Sequence, residues 1–332
     1  MDRVLVEALP APAAPEPEKR SLLIDLFKRL IREKPLGLIG AIITLLLLLA
    51  GIFADFLAPY GYNEVHLLDS LTPPSAEYLL GTDNLGRDLF SRVIHGARVS
   101  VIVGLSATAL STFVSAIIGI VSGYFGGTLD MVLQRFVDGW MVFPGLVILI
   151  AIISILGPGM WQIIVVLGIS LGIGGSRVIR SAVMGIKGNT YVEAAKAIGC
   201  SPLTIALRHI LPNIMAPMII IFSTRVAGVI LSEASLSFLG YGIPPPVPSW
   251  GGMLSGAGRT YMIRAPWMAI WPGVALTIVV YGVNVFGDAL RDLLDPRLRG
   301  GVGHYGEVRR KRQPKDARRF KKSDRILEQG NR

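Results

Sequence analysis

The 332-residue chain is 52% hydrophobic but only 17% charged, with a net charge of +10 and a mean hydropathy of +0.55. A soluble domain carries about a quarter charged residues, so this balance excludes an ordinary soluble protein. The positive charge does not indicate nucleic acid, because Lys and Arg crowd the two ends and one internal loop rather than one folded face.

The first 18 residues are rich in Pro, Ala and Glu, and the apolar run begins only at Pro35. That pattern is not a cleavable signal peptide, so residues 1–34 are expected to remain as an N-terminal segment. A spanning helix needs about 20 mostly apolar residues to cross about 30 Å of hydrocarbon. Pro35 to Ala54, Val99 to Leu129 and Gly139 to Ser176 carry no charge. The third stretch is too long for one helix, and Gly157-Pro158-Gly159 divides it, since proline removes a donor and glycine frees the turn. Asn213 to Leu239 is apolar except for Arg225 and Glu233, and Ala265 to Gly287 is apolar throughout. The prediction is an all-α integral membrane protein of six spans over residues 35–290, followed by a basic tail at 291–332.

Orientation follows from where Lys and Arg fall. Residues 1–34, 130–138, 177–212 and 291–332 together hold 27 of the 33. The alternate segments, 55–98 and 240–264, hold 5, and Arg225 lies within a span. Both termini are therefore expected in the cytoplasm.

The segment 181–212, between spans four and five, has its own punctuation. Thr190 and Glu193 are spaced as a capping box, Gly199 suits the left-handed end of a helix, and Ser201 with Pro202 starts another. Pro212 is expected to end it. Ala194, Ala195 and Ala197 would leave a low face that another protein can approach closely.

These residues resemble a known family. Glu193-Ala194-Ala195, three residues, Gly199, nine residues, then His209-Ile210-Leu211-Pro212 is similar to the EAA loop of binding-protein-dependent ABC importer permeases. His209 departs from the general pattern, which has Ile there, but Arg208-His209-Ile210-Leu211-Pro212-Asn213 is usual in the dipeptide, oligopeptide and nickel branch. Leu80-Gly81-Thr82-Asp83-Asn84-Leu85-Gly86-Arg87-Asp88 with Ser91-Arg92 resembles the outer-segment signature of the C-type subunit. Two further segments match it: Glu233 to Gly240 leading to Pro248-Ser249-Trp250-Gly251, and Gly287 to Asp292 with Asp295-Pro296-Arg297-Leu298-Arg299. The resemblance runs from about residue 20 to 300.

It implies a type I importer permease fold in a bacterial or archaeal inner membrane, with no catalytic residues. Its implied partners are a B-type permease, two ATPase subunits and an extracytoplasmic solute-binding protein. Glu193, Ala194, Ala195, Gly199, Leu211 and Pro212 would form the surface that docks on the ATPase. Peptide is the leading substrate, with nickel, opines and glutathione carried by near relatives.

No G-x-x-x-x-G-K-S/T phosphate loop occurs, so ATP is expected to be used by another chain, and no cofactor by this one. Four His on different segments and a single Cys predict neither metal nor disulfide. Charge within a span usually faces a bundle interior or a wet cavity. Two readings stay open for Arg225 and Glu233, lining the path or meeting a neighbouring subunit, and for Glu233 a third, a position at the outer membrane interface. Eight residues separate them by about 12 Å on a helix, too far to pair. Gly81 to Asp88 is read as structural turns that position a helix near 88–97, and Arg309 to Lys322 as a topogenic tail able to touch anionic lipid. An ion-coupled secondary transporter would need ionisable residues deep in several spans, and a membrane enzyme a nucleophile or acid–base pair; neither is visible.

Overall fold

A computed structural model describes residues 22–294, with side chains from Lys28 onward. The first 18 residues and the tail beyond Leu294, including the Asp295-to-Arg299 motif, lie outside the described residues. Helix α1 (Leu22–Glu33) leads into α2 (Pro35–Ile52), which takes Pro35 in its first turn, where a missing N–H leaves nothing unpaired. An irregular excursion ends at Asp88, whose carboxylate accepts from Ser91 N at 2.8 Å and starts α3 (Leu89–Phe125). Gly126 turns the chain into α4 (Gly127–Val142), and α5 (Gly145–Leu156) follows. After Gly157 come α6 (Met160–Ile186), α7 (Thr190–Ala197), α8 (Met215–Phe238) and α9 (Trp267–Leu294).

Three predicted features need correction. The helix expected near 88–97 is not separate; it forms the first turns of α3, because Asp88 caps the helix ten residues before the apolar run begins. The third span is not one straight helix. α4 and α5 meet at 91° where Phe143 precedes Pro144, a position that disfavours helical backbone. α5 alone has 12 residues, or about 18 Å, too short to cross. Five helices are long and apolar enough to span, and the bent pair supplies a sixth. Pro212, finally, does not end the helix. The chain passes from Pro202–Thr204 through π turns at Ile205–Ile210 and 3-10 turns at Leu211–Ile214 straight into α8. In a regular α-helix its ring would press on carbonyl 208; the widened turn just before it makes room.

α3 is the central element. It packs along α6 and also against α2 and α8, and α9 joins α2 to α8. Small residues set the α3–α6 distance: a Cβ at Gly172 would stand 2.6 Å from Val114 Cβ and 3.0 Å from the Ser111 carbonyl. Such close backbone approach is how membrane helices associate when lipid offers no hydrophobic drive. Outward, Leu45, Leu46, Phe113 and Ile155 are exposed, the distribution suited to lipid rather than water.

Candidate coupling loop and buried charges

Asn189, not Thr190, is the N-cap of α7, and no side chain caps it. The predicted capping box is absent because the backbone closes the turn itself, Val192 N and Glu193 N donating to Asn189 O at 2.9 and 3.2 Å. The far end forms as predicted. Gly199 has φ +82°, with Cys200 N donating to Ala195 O and Gly199 N to Lys196 O, both at 3.0 Å, the paired bonds of a glycine-terminated helix. Ser201 Oγ accepts from Thr204 N at 3.2 Å, and Pro202 takes the first turn.

The loop has two faces. Val192, Ala195, Ile205, Ile210 and Ile214 are buried against Ile179 and Val183 of α6. Ala195 was expected on the approachable face; it lies three residues after Val192, one helical turn on, and therefore faces the bundle. Glu193, Ala194, Ala197, Gly199 and Pro212 face outward, and Leu211 is half-buried. The outward face also carries Ile198, Leu203 and Leu207, exposed by 81%, 68% and 54%. Sequence reasoning passed over these three, although large aliphatics in a loop otherwise holding Glu193, Lys196 and Arg208 were the visible signal.

Within the spans, Arg225 turns into its own bundle. Nη1 donates to Ser111 Oγ at 3.0 Å and to the Leu171 carbonyl at 3.1 Å, with Ser115 Oγ at 3.5 Å. The guanidinium thereby ties α8 to α3 and α6. Gly175 leaves it room, since a Cβ there would run into the guanidinium. All three partners lie within this chain. Glu233 is fully buried within the chain, away from the outer membrane interface that was one of its readings. Ser237 Oγ donates to its Oε1 at 2.7 Å, while Oε2 has no hydrogen-bond partner.

At the opposite end of the bundle, the Gly81–Asp88 segment has the structural role read from its turns. Asp83 Oδ1 accepts from Leu85 N and Arg87 N at 2.8 and 3.1 Å, and Gly81 and Gly86 hold positive φ. Trp267 Nε1 donates to the Thr82 carbonyl at 3.1 Å, fixing the segment to α9. Nearby, Arg98 Nη2 donates to Asp55 Oδ2 at 2.8 Å, and this bond, seconded by His95, holds the Asp55 carboxyl below its ordinary range. No cluster of three or more ligating side chains occurs among the described residues.

The architecture defines a class: a multi-span membrane protein with an ordered loop whose apolar face is left uncovered at one end. Residues 115–300 match the family described as binding-protein-dependent transport system inner membrane component, and residues 21–74 match the N-terminal TM domain of oligopeptide transport permease C. The dipeptide transport system permease protein DppC of Alkalihalophilus pseudofirmus is 38% identical over 87% of this chain and 96% of its own length. The glutathione transport system permease protein GsiD of Escherichia coli is 38% identical over 82% of this chain and 90% of its own. The chain belongs to the binding-protein-dependent transport family, as a C-type permease of an ABC importer in the inner membrane. It is a non-catalytic subunit; membership implies assembly with another permease and with ATPase chains.

Proposed function

We propose that this chain forms half of an import path for di- or oligopeptides and is driven through the 181–212 loop by cytoplasmic ATPases. One observation carries the coupling. Ile198, Leu203 and Leu207 stand exposed on a loop whose other face is buried in its own bundle. An uncovered apolar patch on an ordered element marks a protein contact. Ala194 and Gly199 beside it let a partner approach closely, and Glu193 and Lys196 supply a polar rim. The same face supports an orientation with both termini in the cytoplasm, in agreement with the distribution of Lys and Arg.

The partners are then a B-type permease, two ATPase subunits and an extracytoplasmic solute-binding protein. ATP is used by the ATPases, and no cofactor is bound by this chain. The peptide substrate is supported by the names of relatives, which specify dipeptide and glutathione, itself a tripeptide.

The test is co-purification. Leu203→Asp and Ile198→Asp each place a charge on the uncovered face without touching the buried one. The ATPases should be lost from the complex while the second permease stays bound. Full retention of the ATPases in the double variant would refute the docking role.

A further inference from the structure

At the end of the bundle opposite the loop, a cavity of about 360 Å3 lies between the Asp83–Arg92 segment, the Pro158 turn and the Gly240–Gly258 connection. Asp83, Arg87 and Arg92 are its charged lining residues, leaving one positive charge in excess. The single carboxylate is already engaged by two backbone N–H groups and by Arg87 Nε at 2.7 Å. Arg92 Nε stands 3.7 Å from it. Of the five N–H groups of a guanidinium, Arg92 donates one within the protein, from Nη1 to the Tyr62 carbonyl at 2.8 Å. Its side chain is only 9% exposed, and a cation so withdrawn from water needs partners. Asp88 does not provide them, because its Oδ2 accepts from the Ser91 N–H and hydroxyl. The remaining wall differs in chemistry, with Pro244, Val247 and Met253 beside the hydroxyls of Ser237 and Ser249.

We infer that this cavity is a carboxylate subsite for the transported solute. Arg92, with Arg87 beside it, receives the terminal carboxylate of a short peptide, and the apolar wall takes a side chain. The inference rests on the peptide-import reading above and deepens it. Pockets of about 300–1,000 Å3 hold small ligands. A cation so little exposed is reached by a free molecule more readily than by a side chain anchored on a docked protein.

The probes are alanyl-alanine and alanyl-alanine amide, with binding followed by saturation-transfer NMR on the full-length chain in lipid nanodiscs. The free carboxylate should bind about tenfold more tightly than the amide, the scale of one charge-assisted hydrogen bond. Arg92→Gln should erase that preference. Because loss of Arg92 also removes the Tyr62 bond, a second pair of variants keeps every bond named here. Val247→Asp should weaken alanyl-alanine by a similar factor, and Val247→Lys should not. Equal binding of dipeptide and amide overturns the inference, as does identical behaviour of the two Val247 variants. Uptake of labelled alanyl-alanine by cells that depend on this chain reads the import function separately. Uptake that needs the chain but ignores the charge at 247 removes the subsite and leaves the importer. Charge-dependent binding without uptake keeps the subsite and removes the peptide-import reading. If Val247→Asp raises only the amount of solute-binding protein needed to stimulate ATP hydrolysis, the cavity serves a docked protein and the inference falls.

Discussion

Gly199 holds φ at +82°, and no atom beyond its two chain neighbours lies within 4 Å of where its Cβ would stand. A substitution there meets no neighbour in the chain, so its effect within this protein is confined to the backbone. Placing an L-residue in the left-handed region costs about 1–2 kcal/mol, and Asn, whose short polar side chain can bond locally, enters it more readily than the others. Gly199→Val therefore disfavours the turn that joins α7 to Ser201 by a factor of about 5–30, while Gly199→Asn leaves it nearly unchanged. The assay is ATP hydrolysis by the assembled complex with and without the solute-binding protein, beside thermal unfolding of the complex. The expected result is that Gly199→Val loses stimulation, Gly199→Asn retains it, and the melting temperature hardly moves. If Val and Asn lose stimulation equally, space against the partner matters and the turn does not. If both retain it, the shape of the loop is irrelevant to coupling and the reasoning fails.

Two further predictions concern the bundle. Gly172→Leu forces α3 and α6 apart, since even a Cβ would stand 2.6 Å from Val114 Cβ; overpacking of this kind costs about 1–3 kcal/mol and should lower the melting temperature of the isolated chain, whereas an unchanged melt would refute the close contact. Arg225→Met keeps length but removes every donor to Ser111, Ser115 and the Leu171 carbonyl, so it should destabilise the isolated chain as well. A melt equal to wild type, with transport lost in the complex, would return Arg225 to the path.

What the sequence made legible was local. Gly199, Ser201 and Pro202 behave as predicted because a left-handed turn and a first-turn proline depend on residues within a few positions of themselves. Span positions were legible for the same reason, apolar length being a property of the segment. The rest depends on distant partners. Arg225 was visible as a charge in a span, but Ser111, Ser115 and Leu171, which decide its direction, lie more than fifty residues away. The inward face of α7 was hidden because Ala194, Ala195 and Ala197 look alike in sequence, and only Ile179 and Val183 distinguish the buried one. Pro144 and Pro212 show how one residue type misleads both ways. The first bends a span that looked continuous, and the second passes through a helix that looked finished.

That continuity has a physical consequence for how the loop can act. From Pro202 to Phe238 the chain is one helical run of 37 residues, π and 3-10 in geometry over Ile205–Ile214 and α-helical from Met215. Leu203 and Leu207 stand exposed near its start, and Arg225 sits within it, bonded to α3 and α6. The inner face of the loop, through Ile205, Ile210 and Ile214, grips α6 directly. A force applied at Leu203 is therefore delivered to α8 along its own axis and to α6 through packed side chains. Arg225 then joins both to α3. A flexible tether would absorb such a push; close-packed interiors instead transmit strain, and here no glycine interrupts the run between Ser201 and Arg225. Packing joins the loop, α6 and α8 into one contiguous unit, the arrangement that the coupling proposed above requires.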